Sequence, residues 1–215
     1  FGISYGKNKG EYVVAVSFYD GTSDFYLNDS EFNGPRDKGK LEPVYTKLYE
    51  LVKNAKPNNI VELGVGSGAC TVAMARGLEE VNADGRMIGF DTFDAWGGIR
   101  TVYKKLKSRN LHNFIHNMKE GNVFDLWVNN PTDFDFLWID IDNTWRSTYD
   151  VVFGNEKILN QIKEGSPVYI EGGADAHPRI NKNTLNDFHN SLGKEVFKYT
   201  LLSGLRVSIS KLELI

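Results

Sequence analysis

The clearest regularity in the first quarter of the chain is helical. From Glu42 to Asn54, the apolar residues Val44, Leu48, Leu51 and Val52 recur at helical spacing, and Pro57 with Asn58-Asn59 ends the run. The pattern then changes. Ile60-Val61-Glu62-Leu63 is a short buried-strand run that meets Gly64-Val65-Gly66-Ser67-Gly68, and Ala69–Val81 reads as a helix closed by Asn82 and the turn Asp84-Gly85. Met87-Ile88-Gly89-Phe90 is a second apolar run ending in Asp91, with a helix expected around Ile99–Lys107, and Phe114–His116 reads as a third strand. Asp133–Ile139, apolar and aromatic, ends in Asp140-Ile141-Asp142 and is followed by a predicted helix from Ser147 to Ile162. Val168-Tyr169-Ile170 is the next strand and ends at Glu171-Gly172-Gly173, and Thr184–Leu192 reads as a further helix.

Both ends of the chain carry β-like alternation. Tyr12–Tyr19 and Asp24–Leu27 predict two strands around the turn Asp20-Gly21, and a polar loop runs from Asn28 to Lys40. Val196–Leu202 and Leu205–Leu212, with Ser203-Gly204 between them, predict a terminal antiparallel hairpin. The repeated alternation of strand and helix predicts an α/β fold, a Rossmann-like, mostly parallel sheet with helices on both faces and a C-terminal antiparallel β-hairpin. Residues 1–40 are then an N-terminal extension with a β-hairpin, and residues 41–215 form one domain.

Composition narrows the function classes. With 41% hydrophobic residues in 215, the chain has apolar surface enough for a core, which excludes global disorder. No window approaches the roughly 18 uninterrupted apolar residues of a membrane span. Twenty-five basic and 28 acidic residues give a net charge of −3, which supplies no pull toward nucleic acid or an anionic membrane, so small polar or neutral partners are expected. The single cysteine, Cys70, excludes an internal disulfide and a zinc cluster and agrees with a reducing, cytoplasmic compartment; Phe1 to Gly10 carries no apolar signal core.

In open parallel sheets, ligands sit outside the carboxyl ends of the strands, so the polar residues that terminate apolar runs are the ones to inspect. Four such ends stand out: Glu62 to Gly68, Asp91, Asp140 to Asp142, and Glu171. The glycines let a backbone approach a ligand closely and turn into a helix whose N-terminus favours an anionic group. An acid ending the second strand has two oxygens with which to accept hydrogen bonds from both hydroxyls of a ribose. Together these describe a nucleoside site. Gly64-x-Gly66-x-x-Ala69 also satisfies the loose dinucleotide fingerprint, with Asp91 about the expected 20 residues further on. Glu62 discriminates: two residues before the first glycine, an acid is awkward beside a pyrophosphate and useful near a ligand with a sulfonium and an amino group.

The run Val61-Glu62-Leu63-Gly64-Val65-Gly66-Ser67-Gly68 resembles the first motif of class I S-adenosylmethionine-dependent methyltransferases. Gly89-Phe90-Asp91-Thr92-Phe93-Asp94 resembles a run of the small-molecule O-methyltransferases of the macrocin and novobiocin type, in which the first Asp holds the ribose. Glu120-Gly121-Asn122-Val123-Phe124 resembles the loop flanking adenine in that group, with Asn122 where Asp is commoner. Phe136-Leu137-Trp138-Ile139-Asp140-Ile141-Asp142 with Arg146-Ser147-Thr148-Tyr149 resembles their Asp-x-Asp segment, altered in the middle by Asn143-Thr144-Trp145. These matches cover roughly Ile60 to Glu171.

The resemblance implies methyl transfer from S-adenosylmethionine to a hydroxyl oxygen of a small acceptor. It implies that Glu62, Gly64, Gly66, Ser67, Gly68, Asp91, Thr92, Phe93, Asn122, Val123 and Asp140 bind the cofactor. It also implies a divalent cation, usually Mg²⁺, held by Asp140 and Glu171, and Asp142 as the base. The group's third ligand is replaced by Gly172, so a complete site needs Asp175 or His177 to reach in from the loop. Residues 1–40 are expected to shape acceptor access or a subunit contact in a homo-oligomer.

Two rival functions stay open at this stage. An NAD-dependent oxidoreductase is allowed by the glycine fingerprint but lacks a hydride-transfer constellation such as Tyr-x-x-x-Lys. A non-catalytic nucleotide-binding domain is kept open by Gly172. Bland readings also stand beside the functional ones. Asp91 can be a cap and Asp142 the N-cap of the next helix. Cys70 reads as small core packing despite its place at a helix N-terminus, and Trp96 and Trp145, near strand ends, are candidates to line an acceptor pocket.

Overall fold

A computed structural model describes residues 2–8, 11–17, 42–94, 97–129, 131–141, 151, 156–171, 197–202 and 209–214. At the start of the chain β1 (Gly2–Asn8) and β2 (Glu11–Ser17) pair antiparallel in a sheet of their own, with Asn8 opposite Glu11. The hairpin therefore lies earlier than the alternation predicts. The run Tyr12 to Val16 pairs backward with β1, and the turn expected at Asp20-Gly21 lies outside the described residues. Asp24–Leu27 and Asn28–Lys40 fall outside the described residues.

The remaining elements follow in the order α1 (Glu42–Ala55), β3 (Asn59–Leu63), α2 (Ala69–Val81), β4 (Arg86–Asp91), α3 (Gly98–Ser108), β5 (Ile115–Glu120), β6 (Phe136–Ile139), α4 (Glu156–Lys163), β7 (Val168–Glu171), β8 (Phe197–Leu202) and β9 (Ile209–Leu214). They build a seven-stranded sheet in the order β5-β4-β3-β6-β7-β9-β8. The first five are mutually parallel, and β9 runs antiparallel to both β7 and β8, which gives the expected C-terminal pair. The strand order reverses direction between β3 and β6, and such a switch point opens a crevice at the carboxyl ends of the two strands.

Three boundaries differ from the sequence pattern for local reasons. Phe114 ends a 3-10 turn, His112–Phe114, so β5 starts one residue later. β6 starts at Phe136 because the Asp135 carboxylate turns back to accept the Asn58 and Asn59 amides, both at 2.8 Å, which locks the starts of β3 and β6 together. Leu202 pairs with Ile209, so residues 203–208 lie between β8 and β9 instead of the tight Ser203-Gly204 turn. Of the helix expected from Ser147, the described parts are Val151 and α4; the helix expected at Thr184–Leu192 lies outside the described residues.

The central strands β3, β4, β6 and β7 contribute residues to two apolar clusters. Ile60, Met87, Phe136, Trp138 and Tyr169 meet α1, α2 and α3 through Leu48, Val72, Met74, Leu78, Val102 and Leu106. Val61, Leu63, Phe90, Leu137, Ile139 and Val168 meet Trp127, Val151, Ile158 and Ile162 on the opposite face. Helical cover on both faces is what an all-parallel centre requires. No described helix is long and apolar enough to cross a membrane.

Candidate active site

Because β3, β4, β6 and β7 are parallel, the residues that end them converge on one edge of the sheet: Leu63 and the glycine turn, Asp91, Asp140 and Glu171. The turn leaves β3 at Gly64, whose amide donates to the Phe90 carbonyl at 2.8 Å, while the Asp140 amide donates to the Leu63 carbonyl at 2.7 Å. Gly64 has φ +90°, and a Cβ there would lie 1.8 Å from the Asp140 carbonyl oxygen, so no other residue is accommodated. At the far end of the turn Gly68 has φ +79°, and a Cβ would come within 2.9 Å of Val102 on α3.

Asp91 organises the neighbouring edge. Its Oδ2 accepts the Gly66 amide at 2.8 Å and its Oδ1 accepts the Phe93 amide at 2.7 Å. Phe93 reaches it by adopting φ +55°, rare for an aromatic residue, while its side chain is buried and Thr92 is exposed. The Asp91 carbonyl accepts the Gly121 amide at 2.9 Å, which brings the loop carrying exposed Asn122 and buried Val123 to the same edge. Asn122 Oδ1 accepts the Phe124 amide at 2.8 Å and so opens a π-helical turn, Phe124–Val128, that buries Trp127.

The acids at this edge share an unusual environment. Glu62 is completely buried; its Oε2 accepts the Thr71 hydroxyl at 2.6 Å, and its Oε1 has no hydrogen-bond partner among the described residues. Burial, reinforced by the Asp91 charge and opposed by the Thr71 hydrogen bond, pushes Glu62 up to about 8. Burial also holds Asp140 well above the usual carboxylate range, aided by a hydrogen bond to Glu171 and by the charges of Glu171, Glu62 and Asp91. Asp140 and Glu171 thus end neighbouring strands with their carboxyls hydrogen-bonded to each other. Burial first, and then the charges of Asp140, Glu62 and Glu171, push the Cys70 thiol up, against the pull of the helix N-terminus.

Every expected donor-site residue, Glu62, Gly64, Gly66, Ser67, Gly68, Asp91, Thr92, Phe93, Asn122, Val123 and Asp140, is therefore carried by the strand ends and turns of one edge, with Glu171 beside Asp140. Asp142, Trp96, Trp145, Asp175 and His177 lie outside the described residues. Two participants escape the motif reading. Thr71 is the partner of Glu62. Lys105, on α3, is 9% exposed and donates to the Ser67 carbonyl at 2.6 Å; burial, with the Arg109 charge one turn on, pushes it down to about 8. The signal for Lys105 is its place three residues after Val102 and next to Leu106, on the apolar face of the helix.

The family described as "Methyltransferase domain" matches residues 61–171, more than half of the chain, from the middle of β3 to the end of β7. No curated protein matches the chain in sequence. Among solved structures, the O-methyltransferase from Bacillus cereus in complex with S-adenosylhomocysteine (SAH) is similar at 17% identity and a TM-score of 0.60, over 80% of this chain and 81% of that one. The O-methyltransferase TomG from Streptomyces achromogenes, in complex with S-adenosylmethionine, is similar at 16% identity and 0.61, over 91% and 89%. The SAH-bound methyltransferase PaMTH1 from Podospora anserina is similar at 14% identity and 0.59, over 91% and 88%. At these identities the likeness is one of fold.

Proposed function

The chain belongs to the methyltransferase-domain family, and from that premise we propose that it transfers a methyl group from S-adenosylmethionine to a hydroxyl oxygen of a small-molecule acceptor. The observation that carries the donor assignment is Asp91. A carboxylate has about four lone-pair sites; backbone amides from Gly66 and Phe93 use one on each oxygen and fix the group's orientation. One remains on each oxygen for the two hydroxyls of a ribose. Asn122 and Val123 flank the base, and the turn Gly64–Gly68 lets the backbone approach the rest of the donor. The raised Glu62 and Asp140 carboxyls ionise more readily beside a ligand that brings positive charge, which a sulfonium does and a pyrophosphate does not.

Transfer is an in-line displacement at a sulfonium carbon, so the protein's work is to align donor and acceptor, exclude water and take the hydroxyl proton. We assign proton removal to Asp142, two residues beyond Asp140. The Asp140 and Glu171 carboxyls, hydrogen-bonded to each other, are the residues that would hold a divalent cation such as Mg²⁺, a hard ion that takes oxygen ligands. Among the described residues no group of three His, Cys, Asp or Glu side chains is arranged for a metal ion. The chemistry such an ion would supply is Lewis acidity, which would lower the pKa of an acceptor hydroxyl. Residues 41–215 form the catalytic domain in this reading, and residues 1–40 shape acceptor access or a contact between subunits of a homo-oligomer.

The test is methyl transfer to a panel of catechols, sugars and phenols, with and without EDTA, by the wild type, Asp140→Ala and Asp142→Asn. Asp142→Asn keeps the shape and removes the base, and is expected to lower turnover by about 10²–10⁴-fold. EDTA and Asp140→Ala are expected to reduce turnover as well. Full activity in EDTA together with full activity of both variants discards the metal and the base assignments.

A further inference from the structure

Lysine is seldom buried, because an ammonium group taken from water must recover its hydrogen bonds inside the protein. On α3 the residues Val102, Lys105 and Leu106 form the buried face, and a Leu or Met at the middle position would fill the same space without that cost. What the lysine adds is a hydrogen-bond donor to the glycine turn. Its Nζ lies 2.6 Å from the Ser67 carbonyl, in the middle of the glycine turn.

The turn needs such support. Gly64, Gly66 and Gly68 all hold positive φ, at +90°, +53° and +79°, and glycine loses more backbone freedom on ordering than any other residue. Three successive residues of the turn are held from outside it. Asp91 takes the Gly66 amide, Lys105 takes the Ser67 carbonyl, and Val102 packs where a side chain on Gly68 would be. Because a peptide unit is planar, fixing the Ser67 carbonyl also fixes the Gly68 amide, which donates to the Val65 carbonyl at 2.9 Å.

We propose that Lys105 is a positioning residue for the donor site: from α3 it locks the Ser67–Gly68 peptide and so sets the glycine turn in the shape that receives S-adenosylmethionine. The proposal rests on the donor assignment made above for its ligand, and on the geometry alone for its effect on the turn.

The experiment compares wild type, Lys105→Met and Lys105→Arg in two measurements. The first is amide hydrogen exchange by NMR in the ligand-free protein. The second is SAH affinity by calorimetry. Lys105→Met keeps the apolar stem and removes the donor. Exchange of the Gly66 and Gly68 amides should quicken by about tenfold, the lower end of what a charge-assisted hydrogen bond supplies, while β3 and the body of α2 stay protected. SAH affinity should fall by a similar factor, and Lys105→Arg should restore most of both. If Lys105→Met does not fold, Lys105→Gln, a donor without charge, takes its place with a smaller loss in the same two amides. Unchanged exchange at Gly66 and Gly68 overturns the proposal. So does exchange that quickens equally across β3, α2 and α3, which would make Lys105 a general core residue. If the wild type binds no SAH, the donor assignment falls, and the two amides alone decide whether Lys105 sets the turn.

Discussion

Replacing Glu62 by Gln tests the electrostatics of the site without touching its shape. Glu62 is fully buried and hydrogen-bonded on one oxygen only, and its carboxyl titrates at about 8. The free protein near neutral pH therefore holds it protonated. Between 4.5 and about 8 the folded state keeps a proton that the unfolded state has released, so the contribution to stability is full below 4.5, falls as pH rises, and is lost above about 8. At about 1.36 kcal/mol for each step of one in pKa, the rise from 4.5 to about 8 amounts to something on the order of 5 kcal/mol. Gln keeps an oxygen for the Thr71 hydroxyl and does not titrate. In urea denaturation at a series of pH values, Glu62→Gln should gain several kcal/mol on the wild type between pH 4.5 and 8.5 and little outside that window. Other titrating groups are common to both proteins and largely cancel in the difference. The same variant should bind S-adenosylmethionine more weakly, because a ligand cation is what makes the buried carboxylate favourable. A stability difference that stays constant from pH 4.5 to 8.5 refutes the reasoning.

Other perturbations follow from the same geometry. Gly64→Ala places a Cβ 1.8 Å from the Asp140 carbonyl at a backbone angle alanine avoids; it should cost about 1–3 kcal/mol or more in thermal or urea unfolding, and wild-type stability would show that the turn moves freely. Cys70, the only thiol, should resist iodoacetamide at pH 8 in the folded protein and react on unfolding, followed by intact-mass spectrometry; alkylation at the rate of a free thiol would contradict the acidic surroundings described for it.

The sheet was legible because its strands are short apolar runs bounded by glycine, asparagine and acids, and a parallel centre buries both faces of such runs. The helix Ala69–Val81 matches its expected limits, since Gly68 and Asn82 mark both ends. Local competition explains what was not legible. Either of two glycine-containing turns serves to close a hairpin on the run Tyr12 to Val16, and the alternation alone does not say which. Asp135 carries a strand-like neighbourhood but spends its carboxylate on two amides far away in sequence. The π-helical turn at Phe124–Val128 follows a single local hydrogen bond from the Phe124 amide to Asn122 and has no periodicity to read. In the site, glycines and strand-end acids show in a linear pattern because each sits where a strand stops. Thr71 and Lys105 act across elements, and only a buried polar residue on an apolar helix face hints at such a role.

Whether the edge formed by Gly64–Gly68, Asp91 and Asn122 holds the adenosyl donor is decided by calorimetric titration of the wild type and Asp91→Ala with SAH and with NAD. The wild type should bind SAH saturably and NAD not appreciably, and Asp91→Ala should lose about 1.5–3 kcal/mol of SAH affinity, the range for hydrogen bonds to a charged group. Tighter binding of NAD than of SAH, or SAH binding that Asp91→Ala leaves unchanged, would contradict that assignment.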